Sequence, residues 1–162
     1  MQFSSIIFLT AVLLTGFMGG IGFVNFIGFG PALRDTPAEH IIRYWQIVDS
    51  YMSVRMPVFG TAILLSFLGS GFFLVKQSYK PPLWLLILAL VFVVADIAVA
   101  VQYNFPFNKL VQSITPQTIP DNFEHYRSRS VFGFTLRSVC MIGSFVSTLV
   151  AFCLQASKGL LR

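Results

Sequence analysis

Apolar residues run through this chain in four long blocks, over 4–29, 51–75, 83–105 and 131–155, separated by three polar connectors. About 20 consecutive apolar residues are enough for a helix to cross a bilayer core, so each block can span. The pattern predicts an all-α fold: a four-transmembrane-helix bundle, antiparallel up-down-up-down, in one integral membrane domain covering 1–162. The first block lacks the basic n-region of a secretory signal, and at roughly 25 residues it outruns a signal's apolar core. A retained span is therefore expected.

The connectors carry their own signals. Pro31-Ala32-Leu33 is expected to end the first span. Thr36-Pro37-Ala38-Glu39 then reads as a helix start, with Thr36 as N-cap, Pro37 at the first helical position and Glu39 at the third. His40, Arg43, Tyr44, Ile47 and Tyr51 follow at three- and four-residue spacing, the mark of one helix face. A short interfacial helix after the first span is the expectation, with direct continuation into the second span as the alternative. Pro57 falls in the first turns of the second span, where proline is tolerated. Lys76–Pro82 reads as a tight basic hairpin and Lys109–Ser130 as a longer polar loop. The third block is expected to break at Tyr103-Asn104-Phe105-Pro106-Phe107-Asn108, because proline ends a helix.

Composition sharpens the class. Hydrophobic residues make up 56% of the chain and charged residues only 10%, with a mean hydropathy of +0.77. A soluble domain carries about 25% charged residues, so the lipid bilayer is the expected environment. The net charge of +5 is scattered through short loops without an aromatic–basic patch, which argues against nucleic acid and for headgroups and membrane orientation. Lys76, Lys80, Lys158 and Arg162 share the side of both termini, with no acid among them. That favours cytoplasmic termini, in an inner (plasma) membrane of bacterial type. Gly16 and Gly20 stand in GxxxG spacing, which lets a neighbouring backbone approach closely. Packing inside the bundle is the first use of that face, and a homo-oligomer the second. Cys140 and Cys153 lie 13 residues apart, about 20 Å along one helix. They cannot bridge each other and read as small packing residues.

The candidate chemistry lies in the apolar blocks themselves. Asp96 sits deep in the third, where a carboxylate costs about 2.5–3.5 kcal/mol on insertion scales. Arg137 in the fourth span is the expected counter-ion and Arg55 in the second is the next candidate. Asn25, Arg55, Arg137 and Asp96 all fall in the connector-rich half of the membrane, at depths of about 6–15 Å. Asp96, Ala100, Tyr103 and Asn104 follow helical spacing, so all four are expected on the inward face. Two arginines and one acid would leave a positive pocket, suited to an anionic or enolate-like ligand. Phe23, Phe26, Phe29, Trp45, Tyr51, Phe105 and Phe107 offer aromatic walls for a flat apolar molecule. His40 and His125 lie in connectors on the same side without HxxxH or ExxH spacing, so no metal or other cofactor is expected, with haem through either histidine a minor alternative.

These pieces in combination resemble a known family. The glycine-rich first span, Pro31-Ala32-Leu33, Pro57, Asn104-x-Pro106-x-Asn108 and Arg137 are similar, in order and spacing, to the anthrone oxygenase-like family of small four-helix membrane proteins. The likeness covers about Leu14 to Phe152. It implies a pocket built by Asn104, Asn108 and Arg137, and oxidation of anthrone-like molecules without an obvious cofactor motif. Where family members commonly carry a tryptophan and an Asn or His on the turns before the arginine, this chain has Ser130 and Phe134.

Two functions are therefore expected to compete. One is an oxidoreductase for an apolar phenolic or polyketide-like small molecule. Arg137, Asp96, Asn104 and Asn108 would do the chemistry, and Asn25, Arg55, Tyr103, His40 and Trp45 would bind. The other is a non-catalytic binder, carrier or partner subunit. No nucleotide-binding glycine loop, nucleophile triad or metal-ligand motif is present, and no internal repeat suggests an ordinary transporter.

Overall fold

A computed structural model describes residues 3–158; Arg162, counted above with the terminal side, lies outside them. Four helices are long and apolar enough to cross a membrane: α1 Ser4–Asp35, α2 Ala38–Val75, α3 Pro81–Ser113 and α4 Phe123–Ser157. No strand occurs among the described residues. The protein is a multi-pass, all-α membrane bundle. At 32 to 38 residues each, the helices run about 48–57 Å, well beyond a hydrocarbon core of about 30 Å. The excess lies on the connector side. The exposed Arg55 on α2 and Lys76, the residue just past its end, stand 21 residues apart, about 31 Å, and bracket the apolar stretch.

Two prolines expected to stop helices do not. α1 continues through Pro31 to Asp35, and α3 continues through Pro106 to Ser113. In both cases the helix widens into a π-helical turn just before the proline, at Asn25–Phe29 and at Ala100–Asn104. Proline has no N–H to give and its ring crowds the carbonyl four residues back. The wider turn lets Gly30 N–H reach Asn25 O and Phe105 N–H reach Ala100 O, so the chain passes the proline without ending. The connector after α1 likewise forms no separate interfacial helix: from Ala38 it runs straight into the second span as one helix.

α4 is the central helix, packed along most of α1 on one side and α3 on the other; α2 packs on α1 and meets α3 only sparsely. Glycines set the close approaches. A Cβ at Gly22 would lie 3.0 Å from Met141 and 3.2 Å from the Ser138 carbonyl, so α1 lies directly on the α4 backbone. Gly16 faces Phe145 of α4 inside the bundle, whereas a Cβ at Gly20 would meet nothing within 4 Å. Two separate apolar cores result. One, at the connector end, gathers Leu33, Ile41, Ile42, Trp45, Phe107, Val111, Phe123, Val131 and Phe134. The other, at the hairpin end, gathers Phe8, Ala11, Ile63, Phe67, Leu74, Leu86, Ala89 and Ala151.

The α3–α4 contact is tightest at Gly133, where a Cβ would stand 2.6 Å from Tyr103 Cβ and 3.2 Å from Asn104 Oδ1. Gly133→Ala is therefore expected to lower stability by about 1–3 kcal/mol, as overpacking does. Gly20→Ala should be neutral or stabilising, by up to about 1 kcal/mol. Thermal unfolding of both variants in the same detergent checks the contrast.

Candidate functional site

A cavity of about 520 Å³ lies between the two cores. On α1 and α4 its lining residues fall between the two core sets, at Thr15 and Met18 and from Arg137 to Ser144; on α2, from Asp49 to Leu64, and on α3, from Phe92 to Asn108, the lining runs just into the cores at Ile63 and beside Phe107. The chain has five methionines, and Met18, Met52, Met56 and Met141 all line this space. Their flexible thioethers make an adaptable apolar wall. Met52, Thr61 and Leu64 of α2 and Ile97 and Phe105 of α3 line the cavity while remaining exposed. The cavity thus opens sideways, through the loose α2–α3 seam, toward lipid. Toward the loops it is shut. Trp45 packs there against Phe29, Phe107 and Phe134, with ring centroids 5.5–5.7 Å apart.

The expected Asp96–Arg137 pair forms one wall. Arg137 Nε donates to Asp96 Oδ1 at 2.8 Å and Nη2 to Oδ2 at 3.3 Å, so both carboxylate oxygens are engaged by one guanidinium fork. The two side chains are 10% and 17% exposed, which leaves the pair largely withdrawn from its surroundings. Two of the five guanidinium N–H donors are used in this way, and Arg137 also borders the cavity.

Arg55 does not join it. That side chain is exposed, with its guanidinium 4.8 Å from the Tyr51 ring centroid, and it is not part of the lining. Asp49, which the pattern of the sequence had placed in a polar connector, faces the cavity instead. The lining therefore holds one arginine and two acids, a formal charge of −1 rather than the expected excess of positive charge.

Asp49 sits in a hydrogen-bonded ladder between α2 and α3. Trp45 Nε1 donates to Asn108 Oδ1 at 2.9 Å, which fixes the amide so that Asn108 Nδ2 donates to Asp49 Oδ1 at 2.9 Å. Gln112 Nε2 donates to Asp49 Oδ2 at 3.1 Å. Trp45 and Asp49 are one turn apart on α2, and Asn108 and Gln112 one turn apart on α3, so two four-residue steps face each other. Gln46 reinforces the crossing by donating to the Val111 and Ile114 carbonyls. No Lys, Arg or His of the described residues pairs with Asp49. Nearby, Pro57 deprives the Ser53 carbonyl of its helical donor, and both residues line the cavity.

The remaining candidates lie elsewhere. Asn104 is buried and donates to Ser130 O and Oγ at 3.0 and 2.9 Å, tying α3 to α4, while its Oδ1 accepts nothing. Tyr103 packs on Phe132, with Arg129 over its ring. The π turn explains the difference from the expected shared face. It inserts one residue, so after Asp96 and Ala100 it is Phe105 and Asn108, not Tyr103 and Asn104, that meet the cavity. Asn25 is half-buried in the other π turn and makes no side-chain hydrogen bond. His40 is exposed, 3.9 Å from Glu39, and His125 is exposed against Tyr126. Among the described residues no three His, Cys, Asp or Glu converge on a metal position.

Fold and site together define a four-helix membrane protein with an ion-paired cavity open to the bilayer. No family model, curated protein or solved structure matches the chain.

Breaking a buried ion pair leaves one charge without a partner and typically costs 3–5 kcal/mol, whereas replacing both members with apolar residues of similar size is often neutral. Asp96→Ala is therefore expected to destabilise the protein by about 3 kcal/mol or more. The double variant Asp96→Leu, Arg137→Met should recover most of that loss in thermal unfolding.

Proposed function

We propose that the protein takes an apolar, enolisable aromatic molecule of the anthrone or phenol class from the bilayer and oxidises it with dioxygen. The observation that carries this reading is the side opening of a largely apolar cavity whose wall holds the Asp96–Arg137 pair. A flat molecule dissolved in lipid can enter between α2 and α3 without crossing water, and the methionine wall suits its faces. Its oxygen would then meet the N–H groups of Arg137 that Asp96 leaves free. The resemblance to the anthrone oxygenase-like family supports the same chemistry. In that reaction a ring methylene and one dioxygen give a ketone and one water. The protein supplies positioning and a water-poor site. We take the termini as cytoplasmic on the strength of acid-free Lys76, Lys80 and Lys158.

A second reading, a non-catalytic binder or carrier for the same molecules, is favoured by one observation. Both carboxylate oxygens of Asp96 are held by Arg137, which suits a structural role for the pair.

Protein reconstituted in lipid nanodiscs, supplied with anthrone and oxygen, separates the two. Conversion to anthraquinone with matching oxygen uptake, faster than in empty nanodiscs, is the expected outcome. Arg137→Lys keeps the charge but loses the planar fork, and should lower the rate by about 10- to 100-fold, on the scale of one lost charge-stabilising contact. Binding of anthrone without any acceleration would establish the second reading in place of the first.

A further inference from the structure

The two acids of the cavity differ in what holds them. Asp96 is neutralised by a guanidinium. Asp49 reaches the same cavity with no cation paired to it and is held in place only by two neutral amides. A carboxylate offers about four lone-pair sites. Asn108 and Gln112 take one on each oxygen, so each keeps capacity for a further hydrogen. An amide in its place would offer one acceptor oxygen, enough for Asn108, and would meet Gln112 only with the Gln112 amide reversed, so the two donors select a carboxylate here. The orientation is also fixed from behind: Trp45 holds Asn108 by its Oδ1, and that leaves Asn108 able only to donate toward Asp49.

We propose that Asp49 is the proton acceptor of the cavity, drawing the hydrogen of an activated methylene in a neutral, enolisable aromatic ketone, with Asn108 and Gln112 as positioning residues. This rests on the oxidation reading for its substrate class. One methylene C–H bond breaks, its electron pair stays on the substrate and spreads onto the ketone oxygen as an enolate, and the proton forms an O–H bond with Asp49. The net charge of the cavity is unchanged by that transfer, so a lining of formal charge −1 accommodates it, whereas admitting an already anionic ligand would raise the total to −2. Arg137, on the α4 wall, is the cation available to the enolate. An aspartate can serve in this way when donors stabilise the enolate that forms. Dioxygen then adds to the carbanion, the peroxide anion takes the proton back from Asp49, and loss of water leaves the ketone.

The proton step can be read without the oxidation. Under argon, in deuterated buffer, the protein in nanodiscs should speed deuterium entry at the anthrone methylene, followed by NMR or mass spectrometry. Asp49→Asn should lower that acceleration by at least 100-fold, the usual scale of general-base catalysis, and Asp49→Glu should restore part of it. A second measurement uses the unaltered protein: an apolar carbodiimide should modify Asp49 in preference to the paired Asp96, and anthrone should protect it. Wild-type exchange rates in Asp49→Asn, or labelling at Asp96 with none at Asp49, would overturn the assignment. Exchange without subsequent oxidation in air would uphold Asp49 and remove the oxygenase reading. Full oxidation by Asp49→Asn would remove Asp49 and leave that reading standing. An absence of exchange and oxidation in the wild type would remove both.

Discussion

A carboxylate in the apolar middle of α3 can persist only with a cation beside it, and the fold is arranged so that α4 supplies one. Asp96 is 16 residues from Lys80 along α3, about 24 Å, so its charge is far from the hairpin-side surface. The two-pronged contact from Arg137 answers both oxygens at once. It also requires α3 and α4 to stay in register. That register is secured on the connector side by Asn104 on Ser130 and by the absence of a side chain at Gly133. Side chains that surround a polar pair cannot also close into an apolar core, which is why the interior splits into one core above it and another below.

Much of this architecture is legible in the residue pattern. Four apolar blocks announce four spans, and an acid in one block with an arginine in another announces their pairing, because lipid offers neither charge an alternative. The prolines mislead. A proline ordinarily ends a helix, yet Pro31 and Pro106 each follow a π turn that accommodates them, and no rule of spacing predicts where one extra residue will be inserted. Past that insertion every inferred face is rotated by about 100°. Tyr103 and Asn104 were therefore assigned inward toward the cavity, and Phe105 and Asn108 stand there instead.

The placement of Asp49 and Arg55 was more accessible than it looked. Counted from Asp49 at 100° per residue, Met52, Ser53, Met56 and Gly60 stay within about 60° of it, while Arg55 falls about 120° away. That stripe is the cavity face of α2. The face that three- and four-residue spacing marks in this segment, His40, Arg43, Tyr44, Ile47 and Tyr51, is the exposed one, and Trp45 and Asp49 lie on another stripe of the same helix. The ladder of Trp45, Asp49, Asn108 and Gln112 was visible as two four-residue steps, but only the three-dimensional crossing of α2 and α3 shows that they meet.

For a ligand of the proposed class, the gap at the α2–α3 seam makes the concentration in lipid the one that counts. A molecule entering there is drawn from the acyl chains, where a poorly water-soluble aromatic accumulates far above its aqueous level. Occupancy then follows the mole fraction of that molecule among the lipids, and diluting the buffer leaves it nearly unchanged while adding bare lipid lowers it. Modest contacts inside the bundle suffice under those terms, since partitioning has already removed the solute from water before recognition begins.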